Sequence, residues 1–150
     1  MVLWATGATA TSNYGSNAGD GWNATAAIGE PDVDPECRDD THAWASLSRS
    51  EVATLTVTFD DALWVSRVDV YQTLNPGQVT RIELLGPDGA RTSVFEGVPE
   101  TSESCPVQGF RDDLALNHPV NSVAITVDQS VTGAGWAEID AVSILGVFAT

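Results

Sequence analysis

The sequence contains no lysine, and its six basic residues, all arginines, face 21 aspartates and glutamates. The resulting formal charge of −15 excludes a nucleic-acid-binding protein that works by neutralising phosphates, because the two surfaces would repel each other. It disfavours docking on anionic lipid for the same reason. A strongly negative surface attracts cations, and calcium is the cation that oxygen-rich loops usually bind.

Long hydrophobic runs are also missing, since no stretch reaches the ~18 apolar residues that a membrane helix needs. The N-terminus lacks the basic start and apolar run of a signal peptide, and the Ser/Thr/Asn-rich segment after it is typical of a mature exported domain. We therefore expect a secreted or cell-surface module, without membrane insertion, that has lost a leader or an upstream domain. Sequence motifs of nucleophilic, metalloprotease and phosphate-binding sites are absent, so we do not expect an enzyme.

Only two cysteines are present, Cys37 and Cys105, and neither has a partner at zinc-site spacing. Two interpretations remain, a long-range disulfide or two buried thiols. Both cysteines stand in polar surroundings, which favours the disulfide. Such a bond would stabilise the fold by roughly 4 kcal/mol in the chain-entropy model and indicates an oxidising compartment.

Sustained helical periodicity is absent, whereas apolar residues alternate with polar ones in several short runs. Strands are predicted around Leu55–Phe59, Val68–Val70, Ile82–Leu84 and Val123–Val127, and a last strand over 136–147 slips near Ala141, as at a bulge. Turn signals separate these runs, and neither a repeat nor a linker interrupts the chain. The pattern predicts one all-β domain over residues 1–150, a sandwich or barrel, with a long polar loop region over residues 7–42.

Acidic residues are concentrated in two places. Six carboxylates fall within residues 30–40, which indicates either a solvated loop or a loop that holds a cation. The run from Asp32 begins like an EF-hand loop, but the required glycine and the final glutamate are missing, so the EF-hand is excluded. Glu138 and Asp140 lie in the apolar last strand, where they either face solvent or need a partner such as calcium shared with the acidic loop.

Three segments together resemble galactose-binding-domain-like modules of the discoidin, or coagulation factor 5/8 type C, group. The last strand, from Glu138 to Gly146, resembles the end of such modules, and the segments 24–32 and 40–46 resemble their front. The turn segment 70–79 resembles a subgroup found in bacterial exported multidomain proteins and in a leucine-rich F-box protein. The resemblance implies a jelly-roll β-sandwich of about eight antiparallel strands, often with one structural calcium ion.

The resemblance also implies which residues would hold that Ca²⁺. Asp32 stands at the family's first Asp position, Asp40 and Thr41 at its second loop position, and Glu138 at its C-terminal carboxylate. We therefore expect a structural calcium site formed by Asp32, Asp34, Asp40, Thr41 and Glu138. The sequence departs from the family pattern in having Val33 after Asp32, an insertion that carries Cys37, and a longer spacing between Thr41 and Trp44.

Candidate ligand-binding residues are of two kinds. Five tryptophans invite a sugar-stacking role, although most tryptophans are core residues; we expect Trp44 and Trp136 in the core. Tyr14, Trp22 and Asn23 in the polar N-terminal loop are the better candidates for a ligand surface. The turn residues Gln72, Asn75 and Gln78 carry amides suited to hydroxyl groups, but a plain turn around Pro76-Gly77 explains them as well.

The function expected from these observations is a non-catalytic carbohydrate-binding, lectin-like module with a structural calcium ion, within an exported protein. The alternative is an adhesion or assembly module that binds another protein in a larger exported polypeptide. We accordingly expect a glycan or a cell-surface protein as partner, no nucleic acid, and a monomeric module of a larger chain.

Overall fold

The alternating segments form strands, as their apolar periodicity predicts. The computed structural model describes residues 1–33, 37–101, 104–105 and 113–149. Its strands are β1 (Val2–Trp4), β2 (Gly7–Ala10), β3 (Val52–Leu74), β4 (Val79–Leu85), β5 (Arg91–Glu96), β6 (Val120–Asp128) and β7 (Glu138–Phe148). The described residues contain one short 3₁₀ helix, Ala24–Ala27, and no α-helix, which confirms the all-β fold class. None of these described segments forms a helix long and apolar enough to cross a membrane.

The strands pair in the order β1-β7-β3-β6-β4-β5, with β2 also on β3, and every strand pair is antiparallel. The 23-residue strand β3 is central because its two halves have different partners. Its first half pairs with β2 and β6, its second half with β7, and the register shifts between Thr58 and Leu63. Asp60-Asp61, a pair whose residue types favour a turn, therefore lies within one continuous strand, at the register shift.

The two halves of β3 contribute to one apolar core. Buried residues alternate along both halves of β3, with Leu55, Val57 and Phe59 in the first and Val68 and Val70 in the second. They belong to the same cluster of buried side chains as Trp44 and Ile139. The predicted core position of Trp44 is confirmed, since this side chain is fully buried.

A bulge in β7 lies where the sequence pattern slips. Tyr71 of β3 pairs with Ala141, and the next residue, Gln72, pairs with Ile139. Asp140 is therefore the extra residue of β7, opposite no residue of β3. The predicted irregularity near Ala141 is confirmed, and it places a carboxylate at the end of the sandwich where the acidic loop runs.

Candidate functional site

The polar region that follows β2 is fixed in place by backbone hydrogen bonds rather than by a regular sheet. The amide of Trp44 donates to the carbonyl of Ile139 at 2.8 Å, and the amide of Ile139 donates back to Trp44 at 3.1 Å. Trp22 pairs alongside Trp44 in a single parallel bridge, and the amide of Tyr14 donates to the carbonyl of Ala45 at 2.8 Å. Three loop segments are thereby aligned against the start of β7.

These segments bring three aromatic side chains together. The ring of Tyr14 meets Trp22 edge-to-face, with centroids 5.3 Å apart, and meets Trp136 in the same way at 5.7 Å. Trp22 and Trp136 are half-buried, whereas Tyr14 is 48% exposed. Trp136 therefore differs from its predicted core position: it lines an open cleft. We call this site the aromatic cleft; the residues that line it are Tyr14, Trp22, Asp39, Ala45, Trp136 and Glu138.

The polar ends of both cleft indoles have partners within the protein. Nε1 of Trp22 donates to Oδ1 of Asp39 at 2.8 Å, and Nε1 of Trp136 donates to the carbonyl of Ser46 at 2.9 Å. A tryptophan held by its N–H keeps a fixed ring orientation. The cleft thus offers positioned ring surfaces for an apolar contact.

Trp22 has an unusual backbone conformation, with φ at +58°. Bulky side chains rarely adopt positive φ, which costs on the order of 1–3 kcal/mol. The conformation persists because the Trp22 amide donates to the carbonyl of Thr41 at 3.0 Å and its indole is bound to Asp39. Residues held in this way are concentrated at binding sites.

Glu138 lies at the floor of the aromatic cleft and is 1% exposed. Its Oε1 accepts a hydrogen bond of 3.0 Å from the Asp40 amide. Burial, together with a side-chain hydrogen bond to Asp39, raises the pKa of Glu138 to about 9. Glu138 is therefore protonated at neutral pH and donates a hydrogen bond to the side chain of Asp39.

A second carboxyl pair lies beside the bulge of β7. Oδ2 of Asp140 accepts hydrogen bonds of 3.0 Å from the amides of both Asp32 and Val33. Its other oxygen, Oδ1, is buried and has no hydrogen-bond partner among the described residues. Burial, and next the side-chain contact with Asp32, raise the pKa of Asp140 to about 7.

Asp40 is neutralised differently, by basic neighbours. Arg38 donates to its Oδ2, and Nδ1 of His42 lies 2.6 Å from its Oδ1. The hydrogen bond from Arg38, followed by that from the His42 amide, lowers the pKa of Asp40 to about 2. The Asp40 carboxylate in turn raises the pKa of His42.

The acidic loop and the start of β7 therefore meet in space, but the predicted calcium ligands are divided among different partners. Asp32 is next to Asp140, Asp40 is bound by Arg38, and Glu138 is in the aromatic cleft. Thr41 is exposed, and Asp34 lies outside the described residues. In the described part of the chain, no group of three or more His, Cys, Asp or Glu side chains is placed to hold a metal ion.

The predicted disulfide is confirmed: Cys37 and Cys105 are bonded, with their Cα atoms 4.8 Å apart. The bond lies next to the acidic segment that carries Asp39 into the cleft. The Arg38 amide adds a hydrogen bond of 3.0 Å to the carbonyl of Thr73. The loop with the cleft's acidic residue is thus joined to two distant parts of the chain.

Four of the predicted ligand-binding residues have internal hydrogen bonds. Asn23 caps the 3₁₀ helix by accepting from the Thr25 amide. Gln78 is fully buried, donating to the Gly135 carbonyl at 2.9 Å and accepting from Thr132 at 2.9 Å. Asn75 donates to the Trp136 carbonyl at 2.8 Å, and Gln72 is buried and accepts from the Gly77 amide. This placement favours the turn-forming interpretation of Gln72, Asn75 and Gln78: Asn75 and Gln78 hold the loop that carries Trp136, and Gln72 holds the turn at Gly77.

Tyr14 and Trp22 are the two predicted ligand residues that lie in the aromatic cleft. Sequence reasoning missed Trp136 and Asp39 as cleft residues. A signal for Trp136 existed in the preceding Thr132-Gly133-Ala134-Gly135 turn, because a tryptophan directly after a turn is often only partly covered. Asp39 gave no separate signal within a run of acidic residues.

The described fold is similar to known carbohydrate-binding modules. The relatives include chitosan-binding module 1 from a chitosanase/glucanase of Paenibacillus sp. IK-5, with a TM-score of 0.66, 17% identity and coverage of 93% of this chain and 94% of that one. The family 32 carbohydrate-binding module from C. perfringens NanJ, in complex with galactose, has a TM-score of 0.57, 22% identity and coverage of 96% and 98%. The family 32 module of AlyQ, in complex with 4,5-unsaturated mannuronic acid, has a TM-score of 0.63, 16% identity and coverage of 97% and 98%.

These similarities confirm the jelly-roll β-sandwich fold that the sequence resemblance implies. The comparison with curated proteins gives no match. The family model described as "Pappalysin-1, SD scarf domain, C-terminal" matches residues 1–149, almost the whole chain. The chain therefore belongs to the pappalysin-1 SD scarf domain, C-terminal, family.

Proposed function

We propose that this domain is a non-catalytic carbohydrate-binding module and that its glycan site is the aromatic cleft. The observation that carries the proposal is the group of Tyr14, Trp22 and Trp136 in edge-to-face contact around an open cleft. The C–H faces of a sugar ring pack on fixed aromatic surfaces, and carboxyl groups beneath the rings bind its hydroxyl groups.

The ligands named for three similar solved structures support a glycan ligand. Among these relatives, one module is named as chitosan-binding, one is in complex with galactose and one with 4,5-unsaturated mannuronic acid. They share the fold while their sugars differ, so the fold alone does not choose the ligand. The specificity for one sugar therefore has to come from the side chains that line the aromatic cleft of this chain.

The arrangement of the cleft carboxyl groups supports binding rather than glycoside hydrolysis. Asp39 and Glu138 are hydrogen-bonded to each other, whereas the two carboxyl groups of a typical glycosidase stand roughly 5 Å or more apart with the sugar between them. No histidine is among the described residues that line the cleft. The Cys37–Cys105 disulfide supports an exported location.

A glycan microarray followed by titration calorimetry tests this function. We expect binding to at least one glycan, and loss of that binding in Trp22→Ala. The matched control is Trp64→Ala, because Trp64 is 45% exposed on the opposite side of β3 from its buried neighbours and does not line the cleft. Retention of glycan affinity in Trp22→Ala would contradict the site, and an array without hits together with capture of one protein partner would favour the assembly module instead.

We also propose that calcium stabilises the acidic loop against β7. Support comes from the buried, unpartnered Oδ1 of Asp140 beside Asp32, because a carboxylate oxygen in that position is a suitable calcium ligand. Asp40 is the least suitable predicted ligand, since Arg38 already binds it.

The calcium site is tested by the melting temperature of chelator-treated protein, which should rise on addition of calcium in the native chain and not in Asp140→Asn. An unchanged melting temperature in the native chain would refute the calcium site.

A further inference from the structure

The aromatic cleft is a site of one charge sign. Its carboxyl groups are those of the exposed Asp39 and the buried Glu138, and none of the six described residues that line it is basic. Two arginines stand near it: the guanidinium carbon of Arg49 lies 5.8 Å from the ring centroid of Trp136, and Arg38, next to Asp39 in the chain, is bound to Asp40. With no lysine in the chain and a net charge of −15, the surface around the cleft repels sugars that carry carboxylate or sulfate groups.

The aromatic rings strengthen the preference for a positive group. The face of an indole or phenol ring carries partial negative charge, and several rings around one point form the usual binding site for an ammonium group. Arg49 beside Trp136 shows that this ring already interacts with a cation. In the aromatic cleft the rings of Tyr14, Trp22 and Trp136 surround the same opening as the carboxyl pair.

Asp39 has the capacity to bind a cationic ligand without losing its structural role. One of its oxygens accepts the Trp22 indole N–H at 2.8 Å, and it also contacts Glu138. A carboxylate offers about four acceptor positions, so positions remain for a ligand N–H. Asp39 is exposed, which places these positions within reach of a ligand that enters from solvent.

We propose that the aromatic cleft selects glycans that carry a free, protonated amino group, as in glucosamine units, over N-acetylated, neutral or acidic glycans. This inference rests on the proposed glycan-binding function. The sugar's apolar face packs on the indole rings, and its ammonium group donates a charge-assisted hydrogen bond to Asp39. N-acetylation removes the positive charge and places an uncharged amide over the carboxyl pair.

Titration calorimetry with matched tetrasaccharides tests the selection. The probes are glucosamine tetramer, N-acetylglucosamine tetramer and galacturonic acid tetramer, each at pH 6 and low salt. We expect the amine-bearing tetramer to bind about tenfold more tightly than the N-acetylated one, as the charge-assisted bond requires, and the acidic tetramer to show no binding. Raising the salt concentration should reduce this preference.

Two variants, each of which removes one negative charge, test whether the preference for the amine-bearing glycan depends on Asp39. Asp39→Asn keeps an acceptor for the Trp22 indole and removes the charge, so it should lower affinity for glucosamine tetramer about tenfold more than it lowers affinity for the N-acetylated tetramer. Asp61→Asn removes the same charge at the exposed bend of β3 and should change neither affinity by more than about twofold. Equal affinities of the native protein for the amine-bearing and N-acetylated tetramers would overturn the amine selection while leaving the glycan site intact. Binding of no glycan at all would instead contradict the proposed function.

Discussion

Trp22 combines backbone strain with a position in the proposed binding cleft. Its positive φ is a backbone state that favours glycine, yet a large indole occupies the position. Two hydrogen bonds, from its amide to Thr41 and from its indole to Asp39, hold it there. The strained position is therefore one at which the indole lines the cleft.

Two substitutions of Trp22 separate strain from binding. Trp22→Ala and Trp22→Gly should both abolish glycan binding, because both remove the indole. Trp22→Gly should be more stable than Trp22→Ala by about 1 kcal/mol, since glycine adopts positive φ without strain. Chemical denaturation measures the difference, and an alanine variant at least as stable as the glycine variant would contradict a strained backbone.

At the scale of elements, the strands with clear alternation could be predicted from the sequence, whereas β1, β2, β5 and the connections could not; β2 (Gly7–Ala10) lies in the segment 7–42 that was predicted as a loop. Alternation predicted the halves of β3, and the pattern slip predicted the bulge at Asp140, because both are local properties. The position of Tyr14 and Trp22 depends on bridges from Trp44 to Ile139, which join residues far apart in the chain. No local pattern encodes such a pairing, and for the same reason Trp136 was assigned to the core.

The disulfide acts at this scale too, because it ties the segment that carries Asp39 to a distant loop. Replacing Cys37 and Cys105 together by serine should lower the free energy of unfolding by about 2–4 kcal/mol and weaken glycan binding through the loosened loop. Urea denaturation and calorimetry of the variant measure the two effects. Native protein treated with a reductant serves as the matched comparison and should show the same losses; unchanged stability in both would refute a stabilising bond.

At the scale of the whole molecule, negative charge is the dominant property. Some carboxylates are neutralised by contacts with arginines, and two buried acids have raised pKa values that favour their protonated forms. Four arginines are bound to carboxylates in the described structure, Arg38, Arg67, Arg81 and Arg91. Glu138 and Asp140 are instead buried with raised pKa values of about 9 and about 7. The sequence indicated that these two acids need partners, but it could not show that each is paired with another acid.

This arrangement predicts an unusual pH profile of stability in calcium-free buffer. The folded state keeps a proton on Glu138 that the unfolded chain releases above pH 4.5, so stability should be greatest near pH 4 to 5 and fall as the pH rises towards 9. The limiting slope for one proton is about 1.4 kcal/mol per pH unit. Below that range stability should fall again as Asp40, with a pKa of about 2, becomes protonated.

The matched variant for the alkaline side is Glu138→Gln, which keeps the shape and removes the titration. Its free energy of unfolding, measured by denaturation from pH 4 to 9, should depend less on pH than that of the native chain. A profile with the same slope as the native one would show that Glu138 does not hold its proton in the folded state.

The distribution of tryptophans gives the protein a built-in optical reporter. Trp22 and Trp136 line the cleft, whereas Trp4 packs against Tyr71, Trp44 is fully buried and Trp64 is exposed elsewhere. Replacing the last three by phenylalanine leaves emission from the two cleft indoles alone. Occupancy of the cleft then changes the colour and intensity of this fluorescence directly, so affinities can be read from unlabelled protein in solution.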